Sequence, residues 1–379
     1  MPDNSEKHSV SLRDTSAQPK LDRYWWVPVA AAGVVPALLV SWLMLHRNGY
    51  DPVIFLAFGI DAERQVASLL DVVQRPVPVL PGFGHDGRFF FLQAMDPLIL
   101  DPDGPSSLLG WRHYRAQRIA YPFIASFGGL VPDAVLPWTL WITNLASIVV
   151  GTVATAAASI HRGGSRWIGL VFGINIAVIF EFGISSGGVV ALAAAIAGVA
   201  LLDRGHVRYA VLALVVAALA REQMVLFAFG MALAHWRTTK RLPLVFLFVP
   251  GSVVAWGTYV RWRLGPNQSA DEVAQLVGPP FRGLLDAVPS WSLTDSSAMN
   301  FLMLACLIAA GTIVTRRALS SVDSLAWGTT ATIILLIALN QVVWRQYFNI
   351  GRAAAVIFLA ALVFAFSRRE PDPASEARP

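Results

Sequence analysis

The sequence predicts an all-α polytopic membrane protein, with about ten transmembrane helices and a large loop after the first of them. Composition is the first reason: 55% of the 379 residues are hydrophobic and only 14% are charged, with a mean hydropathy of +0.57, too apolar for an ordinary soluble domain. Continuous apolar runs of bilayer-spanning length, about 20 residues, then recur along the chain, where a β-barrel would show short alternating segments. The third reason is the placement of the basic residues. A net charge of +5 and a pI near 9.6 come from short Lys and Arg clusters between apolar runs, which act as topology signals, so no nucleic-acid partner is expected. Secreted, nuclear and cytosolic enzymes are excluded. The single cysteine, Cys306, lies inside an apolar run; a disulfide framework or Cys-based metal site is ruled out, and Cys306 reads as a small buried hydrophobe.

Residues 1–23 are polar and mixed in charge, which predicts a disordered cytoplasmic tail. Trp25 to Leu45 is the first transmembrane helix, since no small-residue cleavage site follows it. His46 to Asp133 is a long segment rich in Pro, Gly, Asp, Arg and aromatics. Apolar runs follow at about 134–160, 167–184, 188–202, 208–221, 223–236, 242–262, 299–315, 324–343 and 351–367. The basic clusters are Lys20 and Arg23, His161-Arg162 with Arg166, Arg204 with Arg208, Arg237 to Arg241, Arg316-Arg317 and Arg368-Arg369. With a cytoplasmic tail and about ten crossings, all of them fall on the cytoplasmic side. The strained step is 208–236, which must form two legs joined near Arg221-Glu222, each about 20 Å long. These are expected to be short or re-entrant and buried against other helices, where interrupted backbone is tolerated. Residues 24–367 then form a single transmembrane domain with extracytoplasmic loops at 46–133 and 263–298, and 368–379 is a second cytoplasmic tail.

Cytoplasmic connections in this arrangement are short and basic, whereas the opposite side holds interspersed Asp, Arg, His, Tyr, Asn and Trp. The chemistry is therefore expected outside the cytoplasm. Neither a Walker-type nor a GxGxxG sequence is present to bind nucleotides. The densest constellation is Gly84-His85-Asp86-Gly87-Arg88-Phe89-Phe90-Phe91-Leu92-Gln93-Ala94-Met95-Asp96-Pro97. It predicts a short aromatic helix, ended by Pro97, lying in the membrane interface plane. Asp86 reads equally as a helix N-cap and as an acid available for chemistry. A second cluster, Arg112-His113-Tyr114-Arg115-Ala116-Gln117-Arg118-Ile119-Ala120-Tyr121-Pro122, puts three arginines on one face if helical. Such a face suits phosphate oxygens, and equally anionic headgroups or pairing with Asp101 and Asp103.

Arg221-Glu222 interrupts an apolar stretch, where a charge costs about 2.5 to 3.5 kcal/mol on insertion scales, so the pair either faces a cavity or closes a hairpin as a mutual ion pair. Arg345, Asn349 and Arg352 follow i, i+4, i+7 and share one helix face, with snorkelling as the competing account. Glu181 is a further intramembrane acid, with no role assigned.

The run Gly84 to Phe90, Asp96-Pro97 and Tyr114 to Pro122 resembles the "YDGQFYY…DP…YRYQRILYP" pattern of bacterial polytopic proteins of cell-surface glycopolymer formation, which are similar to the GT-C superfamily of glycosyltransferases. The match covers the first loop well, and Arg221-Glu222 and Arg352 more loosely. The resemblance implies a GT-C-like fold in a bacterial inner membrane. It also implies an extracytoplasmic site, a polyprenyl-phosphate donor of mannose or arabinose, and a glycan, lipid or protein acceptor of the cell envelope. Asp86 would be the catalytic base of an inverting transfer, and Arg115, Arg118, Arg221, Arg345 and Arg352 would hold the donor phosphate. His85, Arg88, Asp96, Gln117, Tyr121, Glu222 and Asn349 would support them. His85 stands where Tyr is usual and Arg88 where Gln is usual. Asp51 and Asp61 precede Asp86 after the first helix, no metal and no other cofactor is expected, and Phe89 to Phe91 would line the lipid-tail entrance. Two other classes compete: a transporter or flippase of lipid-linked glycans, which predicts two related halves, and a non-catalytic scaffold in which Asp86 is only a cap.

Overall fold

Lipid cannot satisfy backbone N–H and C=O groups, so a chain in a bilayer must pair them internally, which helices do. The computed structural model is built on that rule; it describes residues 23–74, 76–82, 84–241, 243–265, 277–294 and 296–367. Both expected tails, apart from Arg23, and the middle of the 263–298 loop lie outside the described residues.

The long α1 (Trp26–Arg47) leads into the loop region, which carries α2 (Glu63–Val73), α3 (Gly87–Met95), α4 (Arg112–Ala116) and α5 (Ala120–Ala125). Next come α6 (Leu136–His161), α7 (Leu170–Gly173), α8 (Ile176–Gly183), α9 (Gly188–Asp203), α10 (Val207–Ala220) and α11 (Met224–Thr239). The chain closes with α12 (Phe248–Leu264), α13 (Arg282–Ala287), α14 (Ala298–Ser320), α15 (Ser324–Ile337), α16 (Gln341–Trp344) and α17 (Tyr347–Ala365). Pro137 in the first turn of α6 and the Asp323 side chain capping α15 mark starts that the sequence chemistry favours.

The expected ten crossings are corrected here. Among the described residues five helices are long and apolar enough to cross a membrane, or six if α7 and α8 with the turn before them, bent by 44°, count as one broken span. Every other apolar run still forms a helix, but α9, α10, α11 and α15 have 16, 14, 16 and 14 residues. At 1.5 Å per residue that is about 21 to 24 Å, short of a hydrocarbon core of about 30 Å. Hydropathy counts apolar residues and does not see where a helix stops: Arg221 turns extended (φ −157°) and ends α10. The expected break at Arg221-Glu222 is present, with two short legs on either side. The charge-cluster argument counted ten crossings, so it no longer fixes the side of each loop.

α6 packs on α9, α9 on α10, α11 on α15 and α14 on α17. At one crossing, between α1 and α7, a Cβ on Gly173 would come 1.9 Å from the Gly33 carbonyl oxygen; only glycine permits that approach. Beyond the far ends of α6 and α9, Arg162 donates to Asp203 at 2.7 Å and to Asp323 at 2.9 Å, and all three side chains are nearly inaccessible. This cluster ties α6, α9 and α15 together at the end away from the cavity described below.

Two further expectations, the lipid-entrance role of Phe89 to Phe91 and the burial of Cys306, are corrected. Phe89, Phe90 and Phe91 of α3 are buried in protein, 5%, 5% and 0% exposed, because α3 packs against α5 and α6. The rings of the aromatic helix therefore face protein and cannot line a lipid entrance. Cys306 is exposed, since α14 turns much of its apolar surface outward, Leu302 and Ile308 included.

Candidate functional site

The segment carrying Asp86 is shaped by two glycines. Gly84 has φ +74°, and a Cβ there would stand 2.1 Å from the Ala57 carbonyl oxygen; at Gly87 it would stand 2.3 Å from the Ile184 oxygen. A side chain at either position would push the loop off its neighbours. His85 N–H donates to Ala57 O at 2.9 Å, which fixes the chain just before the acid. Asp86 occupies the N-cap position of α3, yet its side chain makes no capping bond. Its carboxylate accepts from Arg352 Nη2 at 2.6 Å instead.

Arg352 also donates through Nε to Glu181 Oε1 at 2.6 Å, and the same oxygen accepts from Arg221 Nη1 at 3.1 Å. A second ion pair stands beside the first: Arg118 grips Glu222 with two bonds, Nε to Oε2 at 3.0 Å and Nη2 to Oε1 at 2.8 Å. Tyr114 Oη donates to Glu222 Oε1 at 3.0 Å and accepts from Arg118. Arg221 and Glu222 thus pair with distant partners and not with each other. The Arg221-Glu222 break turns both side chains into one cavity of about 520 Å³, which is lined also by Asp86, Arg115, Arg118, Gln117, Asn349 and Arg352.

Burial works against every charge here, and partners decide the outcome. Burial alone would raise the Asp86 carboxyl, but the charge and hydrogen bond of Arg352, with Arg118 and Arg115 beyond, hold it well below the usual carboxylate range. Glu222 is likewise penalised by burial and is brought down to about 2, chiefly by Arg118. Among the described residues Arg115 has no such counterweight in contact, and burial lowers it to about 10. Its hydrogen bond goes to the Gly110 carbonyl, and its guanidinium lies 3.4 Å from the Phe89 ring centroid. Arg88 lies 4.5 Å from the same centroid and is buried outside the cavity lining, its Nε and Nη1 without a hydrogen-bond partner among the described residues.

The remaining expected site residues fall outside the cavity lining. Tyr121 is fully buried and donates to Leu140 O at 3.0 Å, a packing role against α6. Asp96 accepts from the Leu100 and Asp101 N–H groups, both at 2.8 Å, and so shapes the turn after α3. His85 is set edge-on between Phe180 and Phe348. Arg345 is exposed and donates to Gln341. The helical face expected for Arg345, Asn349 and Arg352 does not form, because Gln346 is extended (φ −136°) and separates α16 from α17. Nor do Arg112, Arg115 and Arg118 share a face: α4 ends at Ala116, and Arg112 donates to Leu264 O at 3.0 Å.

Two partners were given no site role by the sequence, Glu181 and Tyr114, although Tyr114 opens the Tyr114 to Pro122 run. An isolated acid in an apolar helix was the available signal for Glu181, and its partners lie 40 and 171 positions away. Among the described residues no group of three or more His, Cys, Asp or Glu side chains is placed to hold a metal ion. The arrangement can bind an anion and can present a carboxylate to it. No family model, curated protein or solved structure matches this chain.

Proposed function

We propose that this protein transfers a sugar from a polyprenyl-phosphate donor to a cell-envelope acceptor, at an extracytoplasmic site in a bacterial inner membrane. The observation that carries the reading is charge that is not balanced inside the site. Arg118, Arg221 and Arg352 are matched by Glu222, Glu181 and Asp86, whereas Arg115, which lines the cavity and lies against Phe89, has no carboxylate in contact among the described residues. An anionic ligand supplies what is missing, and guanidinium forks suit phosphate oxygens. An apolar groove of about 400 Å³ begins beside the cavity; Leu226 lines both, and Phe229, Leu233 and Trp236 continue along α11. A ligand with a phosphate head and a hydrocarbon tail matches that pairing of surfaces.

In the proposed transfer the acceptor hydroxyl oxygen bonds to the anomeric carbon while the bond from that carbon to the phosphate oxygen breaks. Asp86 takes the hydroxyl proton. The bond electrons leave with the polyprenyl phosphate, whose added negative charge is met by Arg115 and the neighbouring guanidiniums. Asn349 lines the cavity and would contact the sugar. The test is to give the purified protein radiolabelled polyprenyl-phosphate mannose or arabinose with a crude envelope acceptor. Labelled acceptor together with free polyprenyl phosphate is expected, and intact donor throughout would overturn the reading.

A further inference from the structure

Arg352 is held by two acids in different ways. Glu181 is 3% exposed and Asp86 30%. Glu181 cannot swing. Its Oε1 takes both Arg352 and Arg221, and its Oε2 is buried without a hydrogen-bond partner. That oxygen lies where a Cβ on Gly188 would come within 2.4 Å. Arg221 Nη1 also reaches the Arg352 carbonyl at 3.3 Å, which closes the unit. Asp86, by contrast, lines the cavity and is bound to Arg352 through one carboxylate oxygen.

Resting on the reading of the cavity as a phosphate-lipid site, we infer that Asp86 occupies on Arg352 the place that the ligand phosphate takes over, and that Glu181 is the positioning residue that holds Arg352 and Arg221 through the exchange. The site carries its own anion where the ligand's anion will go. A carboxylate bound to a guanidinium is a poor proton acceptor, and Arg352 is what keeps Asp86 acidic against burial. Once the phosphate claims Arg352 Nη2, burial raises the Asp86 carboxyl and the freed oxygen can take a proton. The base is therefore switched on by the donor, whose phosphate releases it from Arg352.

The test reads the sign of two substitutions. Farnesyl phosphate and, in parallel, inorganic phosphate are titrated by calorimetry into purified full-length wild type, Asp86→Asn, Glu181→Gln and Glu181→Asp in detergent. Charge counting alone makes both neutralising substitutions tighten an anion, because each removes one negative charge. The exchange gives opposite signs: Asp86→Asn tightens farnesyl phosphate and Glu181→Gln weakens it, each by about fivefold or more, the lower range of ordinary coupling between sites. Glu181→Asp keeps the charge but shortens the side chain, so it also weakens binding, and it decides the matter if Glu181→Gln does not fold. Tightening by both neutral variants, with Glu181→Asp like wild type, overturns the positioning role. Unchanged affinity in Asp86→Asn overturns the exchange while leaving the phosphate site standing. Failure of wild type to bind either probe removes the phosphate reading and the exchange together.

Discussion

Arg352 and Asp86 stand 266 positions apart in the chain, and their side chains meet at 2.6 Å. That contact pins the segment after the first helix to the start of α17, so the loop region belongs to the helical body. It also places the acid at the meeting point of the α10–α11 break, α8 and α17, where four arginines converge on one cavity.

Removing Arg352 leaves Glu181, which is almost fully buried, with Arg221 as its remaining cationic partner. Arg352→Met is expected to destabilise the protein by about 3 kcal/mol, the cost of leaving a buried charge short of its partner. Thermal unfolding in detergent reads this as a lowered midpoint. A midpoint equal to wild type would mean that the pair contributes no stability.

Glu222 gives a pH signature. Its carboxyl is depressed from 4.5 to about 2 in the folded protein, against the push of burial and mainly through Arg118. A depressed acid adds stability that is complete above its unfolded value and is lost as pH falls through its folded one. Wild type should therefore lose stability between pH 4.5 and about 2 more steeply than Glu222→Gln. Parallel curves for the two proteins would contradict the assignment.

Gly87 is expected to tolerate no side chain, since a Cβ there meets two carbonyl oxygens, of Ile184 at 2.3 Å and Leu56 at 2.8 Å. Gly87→Ala should cost about 1 to 3 kcal/mol by overpacking, read as a lowered thermal midpoint in detergent. An alanine variant with the wild-type midpoint would show that the backbone approach is not needed.

Arg162 separates stability from ligand binding. Its guanidinium is 4% exposed and sits between Asp203 and Asp323 at the opposite end of α9 and α15 from the cavity. Arg162→Met should lower stability by about 3 to 5 kcal/mol while the folded fraction binds farnesyl phosphate with unchanged affinity. A large loss of affinity in protein shown to be folded would mean that the two ends are coupled.

Much of the cavity was legible in the sequence, because charges inside apolar stretches and a Gly-flanked acid are costly arrangements that need a partner. Asp86, Arg115, Gln117, Arg118, Arg221, Glu222, Asn349 and Arg352 were all singled out on those grounds or by resemblance, and they line one cavity. Pairings were not legible. Glu222 meets Arg118 from 104 positions away, and no periodicity encodes a contact between elements that far apart. Arg345 was placed with Asn349 and Arg352 by helical spacing, which assumes an unbroken helix, and the extended Gln346 breaks it. The number of crossings failed for a related reason. Apolar content located the long helices and not the short ones of the loops, such as α2 and α13; α10 and α11 meet where Arg221 and Glu222 turn into the cavity, and their lengths follow from that turn.

The central claim is that Asp86 takes the acceptor's proton in a site built around a lipid phosphate. Its most direct measurement is sugar transfer from radiolabelled polyprenyl-phosphate donor by wild type and by Asp86→Asn of equal thermal stability. Loss of about a hundredfold or more in transfer is expected, the scale of removing a general base, although the variant binds farnesyl phosphate more tightly. Transfer at the wild-type rate by Asp86→Asn would contradict the account.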